Sequence, residues 1–130
     1  MPARCGVGTG LAIITDQMIL SVLKFEVIRE KRQAALEILR TMERRTRGKL
    51  GCMDCGVYER HGDDGDTILY LEKWSSKEDL YRHIKSDSYI LVLTVMEFAR
   101  LEPEIYFHEI PETGRLELIK SLRNRDEVVG

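Results

Sequence analysis

The chain has 130 residues, a length typical of one domain that buries a core without disulfides or structural metals. Its net charge of −2 gives no attraction to nucleic acid, and the longest apolar run, 89–96, is far shorter than the roughly 20 residues that cross a bilayer. No secretory leader is recognisable near the N-terminus. We therefore expect a cytoplasmic protein that binds neither nucleic acid nor membrane.

The first elements are a strand and a helix. After a glycine-rich stretch, 1–18, which we expect to be an N-terminal extension, residues 19–28 form the largely apolar run of a central strand. Residues 30–47 then form a helix that ends at Gly48, a good C-terminal stop. The helix carries an apolar stripe at helical spacing, made of Ala35, Leu36, Ile38, Leu39 and Met42.

A hairpin and a second helix follow. Residues 52–61 and 67–74 are strand-like, and they flank the turn sequence GDDGD at 62–66, so we predict an antiparallel pair. Ser75 and Glu78 have the spacing of a capping box and predict the start of the next helix. Leu80 and Ile84 give that helix its apolar face, and His83 lies at the edge of the face.

The last part of the chain contains a helix, a strand and a C-terminal segment. Residues 89–99 are apolar nearly all round and lack glycine and proline, which favours a buried helix. Residues 104–110 alternate as a fourth strand. Residues 115–122 fit either a strand or a short helix. We interpret 111–130 as a C-terminal strand and tail that contacts a partner subunit.

The order β-α-β-β-α-β predicts an α+β fold over 19–110, a ferredoxin-like antiparallel sheet with the helices on one face. The other sheet face is expected to carry Tyr58, Tyr70, Trp74 and Tyr106 or their neighbours. No remaining segment is large enough to cover such a face. Because an exposed aromatic face is unfavourable in a monomer, we expect a homodimer that forms through this open sheet face.

The cysteines, histidines and basic residues suggest no metal or nucleic-acid site. Cys52 and Cys55 form a C-x-x-C pattern, but residues three apart on a strand point to opposite faces, so we interpret them as small apolar side chains. Histidines at 61, 83 and 108 have no metal-ligand spacing. The basic run RRTRGK at 44–49 has no interleaved aromatic residue and is interpreted as a solvated helix end. We predict neither a metal nor a cofactor.

Several short motifs fall at defined places in this predicted fold. Gly51-Cys52 opens the second strand, LYLEKWS at 69–75 ends the third, and His83 follows Trp74 by nine residues. Together with Tyr58-Glu59, these resemble the antibiotic biosynthesis monooxygenase (ABM) family of the dimeric α+β-barrel superfamily. The resemblance covers about 19–110 and implies that two ferredoxin-like subunits pair sheet to sheet as a dimeric α+β barrel.

The family includes cofactor-free oxygenases that act on quinols or polycyclic aromatics. The resemblance therefore implies a cofactor-independent monooxygenase that oxidises a small aromatic or quinol substrate, with His83 and Trp74 as the catalytic pair. His83 would be the base, because its ordinary pKa is close to neutral, and Trp74 would form an apolar wall. The expected substrate-binding residues are Tyr58, Tyr70, Glu72 and Tyr106, with Glu72 orienting an imidazole or a hydroxyl group.

Two alternatives remain open. The same fold without chemistry would be a homodimeric module that binds a small ligand or stabilises an assembly, with Trp74 as a packing anchor and His83 as an ordinary helix histidine. A haem-binding or haem-degrading relative is the weaker alternative. Those relatives use an Asn-Trp pair and a histidine ten residues beyond the tryptophan, whereas here Lys73 precedes Trp74 and the histidine comes at nine.

Overall fold

The computed structural model describes residues 17–60, 67–111 and 116–129 of the chain. The elements in chain order are β1 (Met18–Glu26), α1 (Arg32–Arg47), β2 (Cys52–Glu59), β3 (Thr67–Trp74), α2 (Lys77–Ile84), α3 (Ile90–Met96), β4 (Glu104–Ile110) and α4 (Leu116–Val129). The predicted extension, apart from its last two residues, and the GDDGD turn lie outside the described residues. No helix in the described part of the chain has the length and hydrophobicity needed to cross a membrane.

The four strands form one antiparallel sheet in the order β2-β3-β1-β4. β1 is central and pairs with β3 on one side and β4 on the other, while β2 and β3 form the predicted hairpin. This order, with α1 and α2 packed on the same face, is the ferredoxin-like arrangement. The predicted fold class is confirmed.

One face of the sheet is covered by the helices and forms the core. On β1, every second residue from Ile19 to Val27 is buried, and the same holds on β3 from Ile68 to Trp74. The predicted stripe of α1 packs here, with Ile38 partly buried and Thr46 buried in addition. The placement of Tyr70 and Trp74 on the open face was wrong. Because alternate residues of a strand share a face, Tyr70 and Trp74 lie beneath the helices together with Ile68. Tyr70 is 0% exposed and Trp74 is 1% exposed.

The opposite surface is the open sheet face. It consists of the intervening residues of the two central strands, flanked by Tyr58 on β2 and Tyr106 on β4, each about half exposed at 50% and 46%. The central residues are aliphatic: Leu20, Val22, Leu69 and Leu71. The described residues therefore leave an apolar surface on this side, although it is less aromatic than the sequence suggested.

The start of α2 differs by one residue from the prediction. Ser76, in extended conformation, accepts a hydrogen bond from the Asp79 backbone amide at 3.1 Å, so the cap is Ser76 with Asp79 rather than Ser75 with Glu78. The reason is a hydrogen bond to a neighbouring segment of the same chain. The Ser75 amide donates to the Gly51 carbonyl at 2.9 Å, and this bond keeps Ser75 in line with the sheet.

The C-terminal segment is the helix α4 and not the strand given in the predicted domain boundaries. Its sequence is rich in helix-forming residues, and its described side chains, 116–124, are all exposed. A strand would need a free sheet edge to pair with, whereas a helix satisfies its own backbone groups. Four leucine and isoleucine side chains are about half exposed along it: Leu116, Leu118, Ile119 and Leu122.

The two cysteines of β2 lie on the same face, contrary to the prediction. A β-bulge between Cys52 and Asp54 places Cys52 opposite Trp74 and Cys55 opposite Glu72, both on the helix-covered side. Burial raises the pKa of the Cys52 thiol and raises that of Cys55 to about 12. Both side chains are free thiols.

Candidate active site

A buried carboxylate is at the centre of the site. Glu72 of β3 has a side chain only 1% exposed, and its two oxygens accept from two different rings. Oε1 accepts from the indole Nε1 of Trp74 at 3.0 Å, and Oε2 lies 2.9 Å from Nε2 of His83. Burying a carboxylate is unfavourable unless donors replace the lost water. Trp74 and His83 supply those donors.

Secondary structure brings these three residues together. Glu72 and Trp74 are two residues apart on β3, so both point toward the helices. His83 lies on the last turn of α2, with its side chain 1% exposed. The prediction that it lies at the edge of the apolar stripe was wrong. Its ring packs 4.7 Å from the Trp74 ring, centroid to centroid, and meets Tyr89 edge-on at 5.3 Å.

Lys49 completes the network and indicates which ring nitrogen of His83 accepts a hydrogen bond. The Lys49 ammonium lies 3.1 Å from His83 Nδ1, and it also donates to Ser86 Oγ at 3.1 Å and Ser88 Oγ at 2.8 Å. Because an ammonium group can only donate, Nδ1 must present its lone pair. The ring proton is then on Nε2 and is donated to Glu72. His83 thus has a carboxylate behind Nε2 and a lysine at Nδ1, and a carboxylate behind the ring is the arrangement found in catalytic histidines.

A cavity of about 330 Å³ opens beside this network. Its volume lies in the range of small-molecule sites. The residues that line it are Lys49, Leu50, Trp74, Asp79, Arg82, His83 and Ser86. The lining thus combines the apolar surfaces of Trp74 and Leu50 with charged and hydroxyl groups.

Asp79 and Arg82 form a charge pair on the cavity wall. Arg82 Nη1 lies 2.8 Å from Asp79 Oδ1, while Asp79 Oδ2 accepts from Ser75 at 2.7 Å and Ser76 at 3.1 Å. These hydrogen bonds lower the pKa of Asp79, and the bond from Ser75 has the largest effect. Gly51 allows the close approach of this carboxylate. Its φ of 88° favours glycine, and a Cβ there would lie 2.3 Å from Asp79 Cγ.

None of the four predicted substrate-binding residues lines the cavity: Glu72 is buried and bonds to Trp74 and His83, and the three tyrosines lie elsewhere. Tyr70 is buried in the core, where burial raises its pKa and its hydroxyl accepts from the Cys55 thiol at 3.3 Å. Tyr58 is on the open sheet face, and Tyr106 donates to Glu104 at 2.7 Å on the edge strand. The structure brings together only Glu72, Trp74 and His83. Strand alternation places Tyr58 and Tyr106 on the open face, opposite to the site, whereas Tyr70 shares the face of Glu72 but packs farther along β3 in the core cluster with α1.

The sequence interpretation missed Lys49 and Asp79. The sequence interpretation grouped Lys49 with the arginines of RRTRGK as part of a solvated helix end. The helix ends at Gly48, however, so Lys49 follows the helix and its side chain does not belong to the helix surface. Its partners are 34 to 39 residues away along the chain. Only the Gly48 stop distinguished Lys49 from its basic neighbours. Asp79 was recognisable as a helix-start acid but not as part of a cavity.

Comparison with protein families assigns the chain. The family model for antibiotic biosynthesis monooxygenases matches residues 18–90, which include all of β1 to α2 and the Glu72, Trp74 and His83 triad. The chain belongs to the antibiotic biosynthesis monooxygenase family. The predicted family is confirmed, and the family is known to be dimeric. A search of curated proteins gives no match.

Solved structures share the ABM fold of this chain. A conserved protein from Methanosarcina mazei Go1 is 28% identical with a TM-score of 0.66, and the match covers 72% of this chain and 92% of that one. A Bacteroides thetaiotaomicron protein, described as a possible oxidoreductase, is 22% identical with a TM-score of 0.68 and coverages of 74% and 100%. A structure named antibiotic biosynthesis monooxygenase is 16% identical with a TM-score of 0.64 and coverages of 71% and 97%.

Within the described residues, no three His, Cys, Asp or Glu side chains are grouped as a metal site. His108, one of the scattered histidines, stacks on Tyr106 at 6.0 Å on β4 and lies opposite Leu20 on the open sheet face, whereas His83 is on the helix-covered side. His61 lies outside the described residues.

Proposed function

We propose that this ABM protein is a cofactor-independent monooxygenase that oxidises a small aromatic or quinol substrate in the 330 Å³ cavity. The observation that carries the proposal is the 2.9 Å contact between His83 Nε2 and the buried Glu72 carboxylate, with His83 and Trp74 both on the wall of the cavity. A purely structural histidine does not need a desolvated carboxylate behind it. A base does, because the carboxylate stabilises the imidazolium that forms when the proton is taken.

The chemistry begins with the substrate hydroxyl. His83 Nδ1 accepts its proton when the Lys49 ammonium turns toward the substrate oxygen, and the resulting electron-rich anion passes an electron to O₂. One oxygen atom then bonds to a ring carbon and the other leaves as water. For a phenol, phenol plus O₂ gives quinone plus water, so the substrate itself supplies the electrons that reduce the second oxygen atom. The balance requires no external reductant.

The surroundings favour such an anion and radical pair. Trp74 and Leu50 supply apolar surface for a ring, and the side chains of Glu72 and His83 are each only 1% exposed, so the hydrogen bond between them is shielded from water. Solved relatives named as monooxygenases share this fold at low identity, which agrees with the proposal. The alternative, a ligand-binding module without chemistry, would use the same cavity, and measurement of oxygen uptake distinguishes it from the enzyme.

Oxygen uptake with menadiol tests the proposal. We expect the wild-type protein to exceed autoxidation, and His83→Ala to lose about 100-fold or more of that excess, the usual contribution of a positioned base. His83→Asn is the matched control because its amide can still bond to Glu72 while it cannot accept a proton at neutral pH. Wild-type uptake equal to autoxidation would reject the enzyme and leave the ligand-binding module.

The assembly is also a proposal. We expect homodimer formation through the open sheet face, and we propose that the segment 111–130 contacts the partner subunit. The half-exposed apolar side chains of α4, such as Leu118 and Ile119, support this, because they contribute nothing to the core of their own subunit. Roughly a quarter of this chain lies outside the matches with the solved relatives, whose own chains are covered almost fully.

Truncation tests this role of the C-terminus. Deleting 112–130 should weaken dimerisation by about tenfold or more, because the apolar contacts of α4 are lost. Sedimentation velocity over a concentration series measures the dissociation constant. The paired substitution Leu118→Ser and Ile119→Ser, which keeps the full chain length, serves as the control for truncation. A dissociation constant unchanged in both variants would contradict the proposal.

A further inference from the structure

The strongest unexplained feature of the cavity is the charge of Lys49. Each of its three hydrogen bonds goes to a neutral acceptor, namely the His83 ring, the Ser86 hydroxyl and the Ser88 hydroxyl. Among the described residues, no carboxylate lies within 4.0 Å of its ammonium group. A partly buried ammonium without a counter-ion is unfavourable, since it loses hydration without gaining a charge partner.

The other charges around the cavity do not offset it. Asp79, the carboxylate that lines the cavity, is already paired with Arg82 at 2.8 Å and bound by the hydroxyls of Ser75 and Ser76. Glu72 is nearby, but its oxygens are used by Trp74 and by the far side of the His83 ring. Lys49 is therefore a cation on the cavity wall that no carboxylate of the described residues contacts directly, because Glu72 reaches it only through the His83 ring.

The position of this charge matters for a ligand. Lys49, Trp74 and His83 all line the same cavity, so a ring that packs on the Trp74 wall can place an oxygen near both the ammonium group and His83 Nδ1. The flexible lysine stem lets the ammonium exchange one of its neutral acceptors for a charged oxygen. An N⁺–H···O⁻ bond is roughly twice as strong as a neutral one, so that exchange is favourable.

We propose that Lys49 is the residue that binds the ionised oxygen of the substrate, and that the cavity therefore selects acidic phenols and enols over neutral aromatics. The inference rests on the proposed function for what happens to the anion afterwards, but anion selection itself is a binding property. In this division of roles, His83 takes the proton, Glu72 stabilises the charged ring, and Lys49 stabilises the oxyanion. The same ammonium group favours the oxygen in the form that reduces O₂ most readily.

The test compares two probes of similar shape at one pH. At mildly alkaline pH para-nitrophenol is ionised, whereas para-nitroanisole is neutral. Trp74, the only tryptophan, lines the cavity, so quenching of its fluorescence reports binding of either probe. We expect the wild-type protein to bind the phenolate about tenfold or more tightly than the anisole, as expected for an opposite charge at this distance.

Three variants assign the preference to Lys49. Lys49→Met, close in shape, should bind both probes equally, and Lys49→Arg should keep most of the preference because the charge is retained. Lys85→Met is the matched control: it removes the same charge from an exposed lysine that does not line the cavity, so the preference should change by less than about threefold. Thermal unfolding of each variant confirms that the cavity is folded.

The outcomes separate this inference from the proposed function. Equal binding of the two probes to the wild-type protein, no binding of either, or loss of the preference in Lys85→Met but not in Lys49→Met would overturn the role of Lys49. A Lys49-dependent phenolate preference without oxygen uptake would uphold the anion site and reject the oxygenase. Oxygen uptake without phenolate preference would uphold the oxygenase and reject the anion site at Lys49.

Discussion

Replacing Glu72 with leucine should lower the free energy of unfolding by about 2–6 kcal/mol, because two buried donors lose their acceptor at about 1–3 kcal/mol each. The donors are the Trp74 indole N–H and the His83 ring N–H, which bond to separate oxygens of the carboxylate. Against a typical domain stability of about 5–15 kcal/mol this is a large fraction. Urea denaturation followed by circular dichroism measures it.

Two further variants make this prediction specific. Glu72→Gln keeps an acceptor for Trp74, but its amide N–H₂ faces His83 Nε2, so the ring must move its proton to Nδ1, where the Lys49 ammonium already donates. We expect Glu72→Gln to lose only about half as much free energy of unfolding as Glu72→Leu. Its oxygen uptake should nevertheless be about 100-fold below that of the wild-type protein.

Glu59 provides the matched surface carboxylate. It is partly exposed on β2 and pairs with Arg32 and Arg40, so Glu59→Leu should cost about 1 kcal/mol or less. If Glu72→Leu unfolded with a free energy within 1 kcal/mol of the wild-type protein, the buried network would not hold the site together.

Replacing Val22 with glutamate should convert the dimer to a monomer at micromolar concentration. Val22 lies in the middle of the open sheet face, opposite Leu71 on β3 and Tyr106 on β4. In a sheet-to-sheet dimer, two copies of the new carboxylate would be buried without partners. Because burying an unpaired charge is strongly unfavourable, the dissociation constant should rise about 100-fold or more.

Sedimentation velocity and light scattering check the second prediction. Ala34→Glu makes the same charge change at an exposed position of α1, and it should leave the dimer intact. The thermal stability of Val22→Glu measured at low concentration shows that the subunit still folds. A wild-type protein that is monomeric at all concentrations, or a Val22→Glu protein that dimerises normally, would reject the open sheet face as the interface.

Local sequence signals predicted most of the fold. The spacing of Leu36 and Leu39 indicated α1, the turn between two strand-like runs indicated the β2–β3 hairpin, and the alternation in 104–110 indicated β4. These features follow from the helical and strand periods, which act over a few residues. From β1 to β4, element ends were predicted to within about three residues, and the start of α2 was misplaced because a neighbouring segment decided it, through the bond from the Ser75 amide to the Gly51 carbonyl.

The site was predicted only in part. The triad of Glu72, Trp74 and His83 was named from short motifs, but its depth was not, because a glutamate on a strand normally indicates the solvent face. The aromatic residues of β3 were assigned to the open face, which turned the strand over and placed Trp74 on the wrong side. Burial of Glu72 is favourable only because two ring N–H groups from different elements meet its oxygens.

The sequence by itself determined the order of elements, the family and three residues of the candidate site, since each depends on local periodicity or on a short motif. Only the tertiary structure decided which face of β3 is covered, which tyrosines are excluded from the cavity, and that Lys49 reaches His83 from 34 residues away. Those outcomes depend on how helices pack on the sheet. Packing is set by the combined burial and hydrogen bonding of distant segments, and no local pattern encodes it.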